Sequence, residues 1–235
     1  MTMTDYSAIY DPDTDFDIHF TRATGDRIAR WMRPGDRVLE LGCATGAMTV
    51  SFAGEGREVV AVDRAADYLT TARGCGLEGV DWRQADFAQA LPGTGAHDHV
   101  VLANVLHELD DPEALLAAVA ERHLAPGATV HLSLQNPHSL HRLVALEMGL
   151  IDDLSAVAAN GLKYATRRLY TAVELTELAG RAGLELVHRE GVMLKPLPNA
   201  AMAALDPAVL AGFVAAARHL PDHAAMNLLH LRHAR

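Results

Sequence analysis

Residues 38–50, VLELGCATGAMTV, constrain this chain more than any other stretch. An apolar run of strand length breaks at a glycine turn, and a helix-forming run follows. That order opens a crossover between neighbouring strands of a parallel sheet. Gly42 and Gly46 bracket the turn, and Ala44 stands where a tight loop often has a third glycine. The strand also carries a carboxylate, Glu40, two residues before the first glycine. A glycine turn leading into a helix N-terminus usually cradles a phosphate, and a carboxylate there would repel it. The ligand that suits this turn therefore carries positive charge and no phosphate.

The rest of the chain alternates around this unit. A first helix is predicted over residues 15–33, capped by Asp17 or Asp15, with Ile18, Phe20, Ile28, Trp31 and Met32 as its apolar positions. Pro34-Gly35 stops it. The strand RVLEL leads to a helix from about Gly46, and the strand EVVAVD to a helix opening near Ala65. VDWRQAD and DHVVLAN read as strands, the second apolar enough to be buried on both faces. DPEALLAAVAERHL is a helix with Asp111 as cap and Pro112 at its first position, and ATVHLSL is a fifth strand. Residues 136–170 are too long for a plain connection and follow a strand's carboxyl end, so they read as a lid or substrate-recognition insertion. The helix TAVELTELAGRAG, the strand LELVHREG, a helix over about 200–219 and the closing strand AMNLLHLRH complete the order.

The expectation is a single α/β domain: a doubly wound, mostly parallel, seven-stranded Rossmann-like sheet with a helical lid inserted after strand five. Residues 1–34 form an arm and helix, 35–135 the ligand-binding core, 136–170 the lid and 171–235 the last part of the sheet. The 235 residues, half of them hydrophobic, suffice for one substantial core. A formal charge of -10 disfavours nucleic acid as a partner. TRRL at 166–169 is the one short basic candidate. No apolar run reaches the length of a membrane span. The acidic, polar start does not read as a secretory signal. Two cysteines, Cys43 and Cys75, form neither a disulfide framework nor a metal spacing. A cytoplasmic protein without a metal, monomeric or homodimeric, is the expectation, and the 13 scattered histidines do not alter it.

The turn and three later stretches together resemble the class I S-adenosylmethionine-dependent methyltransferases, small-molecule type. Glu40, Gly42 and Gly46 match that family's acidic-x-Gly-x-x-x-Gly core, with Cys43 and Ala44 inside the loop. Ala44 departs from the usual middle glycine by one methyl group. Asp63 ends the second strand, 21 residues after Gly42, where an acidic residue can accept ribose hydroxyls, and Arg64 follows it. WRQADF resembles the adenine-contacting motif, which implies Asp86 and Phe87. HDHVVLANVLHELDDP resembles the fourth motif, which places Asn104 at a strand end beside the methyl donor. The resemblance implies S-adenosyl-L-methionine as cofactor. A carboxylate at Glu40 suits its sulfonium and ammonium.

Methyl transfer needs alignment, exclusion of water and, for an oxygen or amine acceptor, a base. His107 is the first candidate, from its place after the fourth strand; Asn136 could orient substrate. His138 and His141, three apart, could share a helix face. Tyr6 and Tyr10 belong to an arm that could close over the cofactor, and Tyr10 could also touch the reacting groups. Arg22 could pair with the cofactor carboxylate. Tyr164 and Tyr170 flank Arg167 and Arg168 as a substrate-facing edge. Lys195 is expected to be exposed, and Cys43 to be a small buried residue. The resulting reading is methylation of a small-molecule O or N acceptor in specialised metabolism. Two others stay open: a cyclase or lyase that consumes the cofactor and releases methylthioadenosine, such as an azetidine-carboxylate synthase, and a non-catalytic binding protein.

Overall fold

A computed structural model of the chain describes residues 7–87, 93–157, 161–162 and 164–234. Its centre is a seven-stranded sheet: β1 (Arg37–Leu41), β2 (Glu58–Asp63), β3 (Val80–Gln84), β4 (His97–Ala103), β5 (Leu124–Gln135), β6 (Leu184–Leu194) and β7 (Ala224–His233). The strand order is β3-β2-β1-β4-β5-β7-β6. β1 to β5 pair in parallel, and β7 runs antiparallel between β5 and β6. The order reverses beside β1, where chain direction sends successive crossovers to opposite faces. A crevice opens there at the carboxyl ends of the strands.

Helices cover both faces, as predicted. On one, α4 (Pro112–Arg122) and α6 (Ala172–Arg181) bury Leu115, Leu116, Val119, Leu175 and Leu178 against Leu102, Leu132 and Leu229. On the other, α1 (Ile18–Ala29), α2 (Thr49–Phe52), α3 (Ala66–Gly74), α7 (Asn199–Ala203) and α8 (Pro207–Ala216) bury Phe20, Ile28, Phe52, Leu69, Met202 and Leu210 against Val38, Ala61 and Val101. α4 starts as its sequence requires: the Asp111 carboxylate accepts the Ala114 N–H at 2.9 Å and Pro112 needs no partner. α6 starts with a full capping box between Thr171 and Glu174.

Several boundaries differ from expectation. The helix expected from Gly46 is only the four residues of α2, because the loop keeps turning through Met48. The single helix expected over 200–219 is broken, since Asp206 caps α8 through the Ala208 N–H and Pro207 cannot continue α7. β5 begins at Leu124, so Pro126-Gly127 lies within the strand rather than before it. In the insertion, α5 (Leu140–Glu147) is amphipathic, yet no residue of it is buried. Its apolar side is covered only in part. Among the described residues, no helix is long and apolar enough to cross a membrane.

Candidate active site

The crevice beside β1 is a cleft of about 940 Å³ of empty space, built from the ends of four strands and the amino-terminal arm. β1 delivers Glu40 and the loop from Gly42 to Met48. β2 delivers Asp63, Arg64 and Ala65; Phe87 follows β3; Asn104, Val105 and Glu108 follow β4. Tyr10 and Pro12 of the arm, Thr21 of α1 and Tyr68 of α3 close the sides.

The loop is shaped by its glycines. Gly42 and Gly46 have φ of +87° and +82°. A Cβ at Gly42 would lie 2.6 Å from Val105 Cγ2, and one at Gly46 would lie 2.8 Å from the Trp82 ring. The N–H groups of Gly42 and Cys43 both donate to the Val62 carbonyl, at 2.8 and 3.1 Å, which ties the loop to β2. Ala44 takes the left-handed φ of +45° that the missing glycine would have taken freely. Asp63 holds that strained residue. Its Oδ2 accepts the Ala44 N–H at 2.9 Å, and its Oδ1 accepts the Ala65 N–H at 2.9 Å.

Three carboxylates give the cleft its negative character. Glu40 is 3% exposed and accepts the Thr49 hydroxyl at 2.6 Å. Burial, reinforced by the Asp63 charge and opposed by Thr49, raises its pKa to about 7. Burial also raises the pKa of Asp63, against the backbone N–H groups of Ala65, Ala44 and Arg64 and the Arg64 charge, which favour its ionised form. Glu108 approaches Arg64, Oε2 to Nη2, at 3.9 Å, so residues from β2 and β4 meet across the end of β1. Asn104 sits at φ +55°, and its buried Oδ1 has no hydrogen-bond partner among the described residues. A buried acceptor without a partner at a cleft wall is what a ligand N–H would satisfy.

Hydrogen bonds tie the arm to the cleft. The Tyr68 hydroxyl donates to the Tyr10 carbonyl at 2.7 Å, and the Thr45 hydroxyl donates to Asp13 at 3.0 Å. Tyr10 meets Tyr164 of the insertion, ring centroids 4.8 Å apart, and burial pushes its phenol pKa up. Tyr6 lies outside the described residues.

The structure thus gathers Tyr10, Glu40, Gly42, Cys43, Ala44, Asp63, Arg64, Phe87 and Asn104 in one cleft. Gly46 shapes the loop from beneath, and Asp86 is half-buried beside Phe87 without lining the cleft. Burial raises the Cys43 thiol pKa, consistent with a small buried residue.

Four expectations are corrected. Arg22 is exposed, and its neighbour Thr21 faces the cleft instead. Asn136 is buried away from the cleft; its amide donates to the Asp222 and Ala224 carbonyls at 2.8 and 2.9 Å and accepts the His138 N–H at 3.0 Å. It splices the insertion to β7 and has no donor left for substrate. Tyr170 packs in the core beneath α4 and α6, its ring under the Arg168 guanidinium, so of the two tyrosines proposed as an edge only Tyr164 reaches the arm. His107 forms a 3-10 turn whose next residue, Glu108, lines the cleft while His107 does not. Burial lowers its imidazole pKa to about 4, so it is neutral at pH 7 and a weak base.

Lys195 is the residue that sequence reasoning undervalued. Expected to be exposed, it is 8% exposed. Its ammonium lies 5.7 Å from the Phe20 ring centre and makes no hydrogen bond or ion pair within 4 Å among the described residues. Asp17 and Asp15 face it from further off, and burial lowers its pKa. Its contact with Phe20 of α1 joins parts of the chain remote in sequence. Thr49 was more legible. It stands nine residues after Glu40, at the first helical turn beyond the loop.

A methyltransferase-domain family model matches residues 16–189. The chain belongs to the class I S-adenosylmethionine-dependent methyltransferases. The methyltransferase is 32% identical over 187 residues to a ubiquinone biosynthesis O-methyltransferase of Xanthomonas oryzae pv. oryzae, covering 74% of this chain and 72% of that protein. Its fold is similar to an S-adenosylmethionine-dependent methyltransferase from Mesorhizobium loti (TM-score 0.62, 20% identity, 91% of this chain and 99% of that one). It is equally similar to magnesium protoporphyrin IX methyltransferase from Synechocystis PCC 6803, solved with bound SAH (TM-score 0.62, 17% identity, 98% and 90%). The methyltransferase uses S-adenosylmethionine.

Proposed function

We propose that this methyltransferase transfers a methyl group to an oxygen of a small, hydroxylated acceptor held between the arm, the insertion and the turn after β6. The observation that carries this reading is Lys195, buried without a carboxylate in contact among the described residues and sharing the field of Asp17 with the cleft residue Tyr10. The O-methyltransferase name of the Xanthomonas relative supports oxygen as the acceptor atom.

The residues present fit the cofactor. The unpartnered Asn104 Oδ1 and the Glu40 carboxylate supply the acceptor and charge that a cationic amino-acid end requires. Each Asp63 oxygen spends one lone pair on a backbone N–H and keeps another for a ribose hydroxyl. Phe87 offers an apolar wall for a base. Bound there, S-adenosylmethionine supplies a sulfonium-activated methyl whose departure leaves a neutral thioether.

The protein's own part is placement. Tyr10, fixed by Tyr68 and covered by Tyr164, excludes water from one side of the cleft. Asp17 acts electrostatically on both Tyr10 and Lys195, which places all three in one neighbourhood. Lys195 favours the ionised form of an acidic hydroxyl without having to remove its proton directly. His107, neutral and off the cleft, is not assigned a part.

Purified protein incubated with S-adenosylmethionine and a panel of catechols, phenols and amines tests the reading. O-methylated product with S-adenosylhomocysteine is expected. Methylthioadenosine formed without any acceptor would replace this reading with an intramolecular one, and N-methylated amines alone would remove the oxygen assignment.

A further inference from the structure

A continuous line of polar groups, buried histidines between two half-buried carboxylates, crosses the sheet away from the cleft. His99 of β4, His131 of β5 and His230 of β7 stand on neighbouring strands and on one face. Asp36 Oδ2 meets His99 Nε2 at 3.0 Å. His99 Nδ1 meets His131 Nε2 at 3.0 Å, His131 Nδ1 meets His230 Nδ1 at 2.8 Å, and His230 Nε2 meets Glu190 Oε1 at 3.2 Å. Every ring nitrogen of the three histidines is engaged. His131 and His230 are 0% exposed, so no water competes for these contacts.

The proton count of this line is fixed by its ends. Four hydrogen bonds need four protons. A carboxylate at each end can only accept, so all four must come from the rings. Three neutral imidazoles supply one each, which makes three. With three, one of the four contacts sets lone pair against lone pair at hydrogen-bond distance, in a place where an unmade bond costs about 1–3 kcal/mol. A fourth proton satisfies every contact and reduces the net charge of the line from -2 to -1.

We propose that Asp36, His99, His131, His230 and Glu190 form a binding site for one proton, carried as an imidazolium. Three arrangements satisfy the geometry, with the imidazolium at His230, at His131 or at His99. With the imidazolium at His230, that ring donates to Glu190 and to His131, His131 donates to His99, and His99 donates to Asp36. Moving one proton from His230 to His131 and another from His131 to His99 puts the imidazolium at His99 and reverses the two inner bonds. No ring turns and no proton is lost. Burial lowers the pKa of all three rings, His131 furthest, while Asp36 favours charge on His99 and Glu190 favours it on His230. The charge therefore resides at the ends.

Other groups frame the site. Asp98 and Arg57 act on His99 with opposite signs; His188 faces His230 from β6; Arg27 contacts Glu190 at 3.4 Å, and Arg30 acts on Arg27. Trp31, just past α1, stacks on His230 with centroids 4.3 Å apart. Arg27 and Trp31 seat α1 on this line, and α1 carries Thr21 to the cleft. Proton occupancy is thereby linked to how α1 lies on the sheet.

Nitrogen-15 NMR of histidine-labelled protein at pH 7 counts the protonated ring nitrogens directly. Four of the six in His99, His131 and His230 are expected to carry protons. Glu190→Gln is the second arm. Its amide can donate to His230 while its carbonyl keeps the Arg27 contact, so the fourth proton is no longer needed and the count should fall to three in a folded protein. Three protonated nitrogens in the wild type overturn the proposal whether or not the variant folds. Four in a folded Glu190→Gln variant overturn it as well.

Discussion

The Asp63 carboxylate bridges the two turns that frame the cleft: Oδ2 accepts from Ala44 and Oδ1 from Ala65, both at 2.9 Å. One side chain thus holds a strained loop residue and the start of α3 together. It is only 9% exposed.

Asp63→Ala should therefore lower stability and cofactor affinity together. The buried Ala65 N–H loses its acceptor, a loss of about 1–3 kcal/mol of stability when unsatisfied, and the half-buried Ala44 N–H loses less. Asp63→Asn keeps one acceptor oxygen and should fall between. Urea unfolding of the cofactor-free protein and calorimetric titration with S-adenosylmethionine measure the two effects separately. Full stability with lost affinity would show that the bridge contributes nothing to the loop.

The glycine loop offers an opposite pair of changes. Gly42→Ala places a methyl 2.6 Å from Val105 Cγ2 on a left-handed backbone, so cofactor binding should be lost. A Val105→Ala change in the same chain should recover part of the stability, because it removes the clashing atom. Ala44→Gly relieves the cost of φ +45°, about 1–2 kcal/mol for a residue with a Cβ, against an entropy loss of roughly 0.4–1 kcal/mol. It should be neutral or stabilising in thermal unfolding. A clear drop in Tm would refute the strain.

Glu40 predicts a pH dependence with a definite sign. Its pKa is raised from 4.5 to about 7, mainly by burial. The folded protein then binds more protons than the unfolded chain between those values. The stability from this group is full below pH 4.5 and is lost as pH rises through 7, about 3 kcal/mol at most. His107, lowered to about 4 by burial, works the other way and costs stability as pH falls below 6.5. The difference between wild type and Glu40→Gln isolates the first effect, and it should vanish in the variant. A cationic ligand beside Glu40 favours its ionised form, so cofactor binding near pH 7 should release a proton. Titrations in buffers of different ionisation enthalpy detect that release.

Asn136 and Tyr170 should behave as structural residues. Asn136→Ala strands two carbonyls and one N–H at the splice between the insertion and β7, so it should cost several kcal/mol of stability with cofactor affinity unchanged. Tyr170→Phe keeps the core ring and should leave both stability and turnover nearly unchanged. A large fall in turnover for a stable Tyr170→Phe protein would return that hydroxyl to the active site.

Local patterning determined the sheet, its alternation with helices and the glycine loop. Period, caps and turn residues act over a few positions, so Asp111, Thr171, Gly42 and Glu40 could be read where they stand. The cofactor side of the cleft was legible for the same reason, since each residue lies at a strand end that the pattern marks. Which side chain turns inward was decided by packing. Thr21 and not Arg22, and Glu108 and not His107, face the cleft because of how α1 and the turn after β4 lie on the sheet. Burial of Lys195 depends on Phe20 and on helices remote in sequence, and the chain of His99, His131 and His230 exists only once β4, β5 and β7 lie side by side. Sequence spacing carries no trace of such contacts, because their partners are set by strand order and by the positions of neighbouring elements.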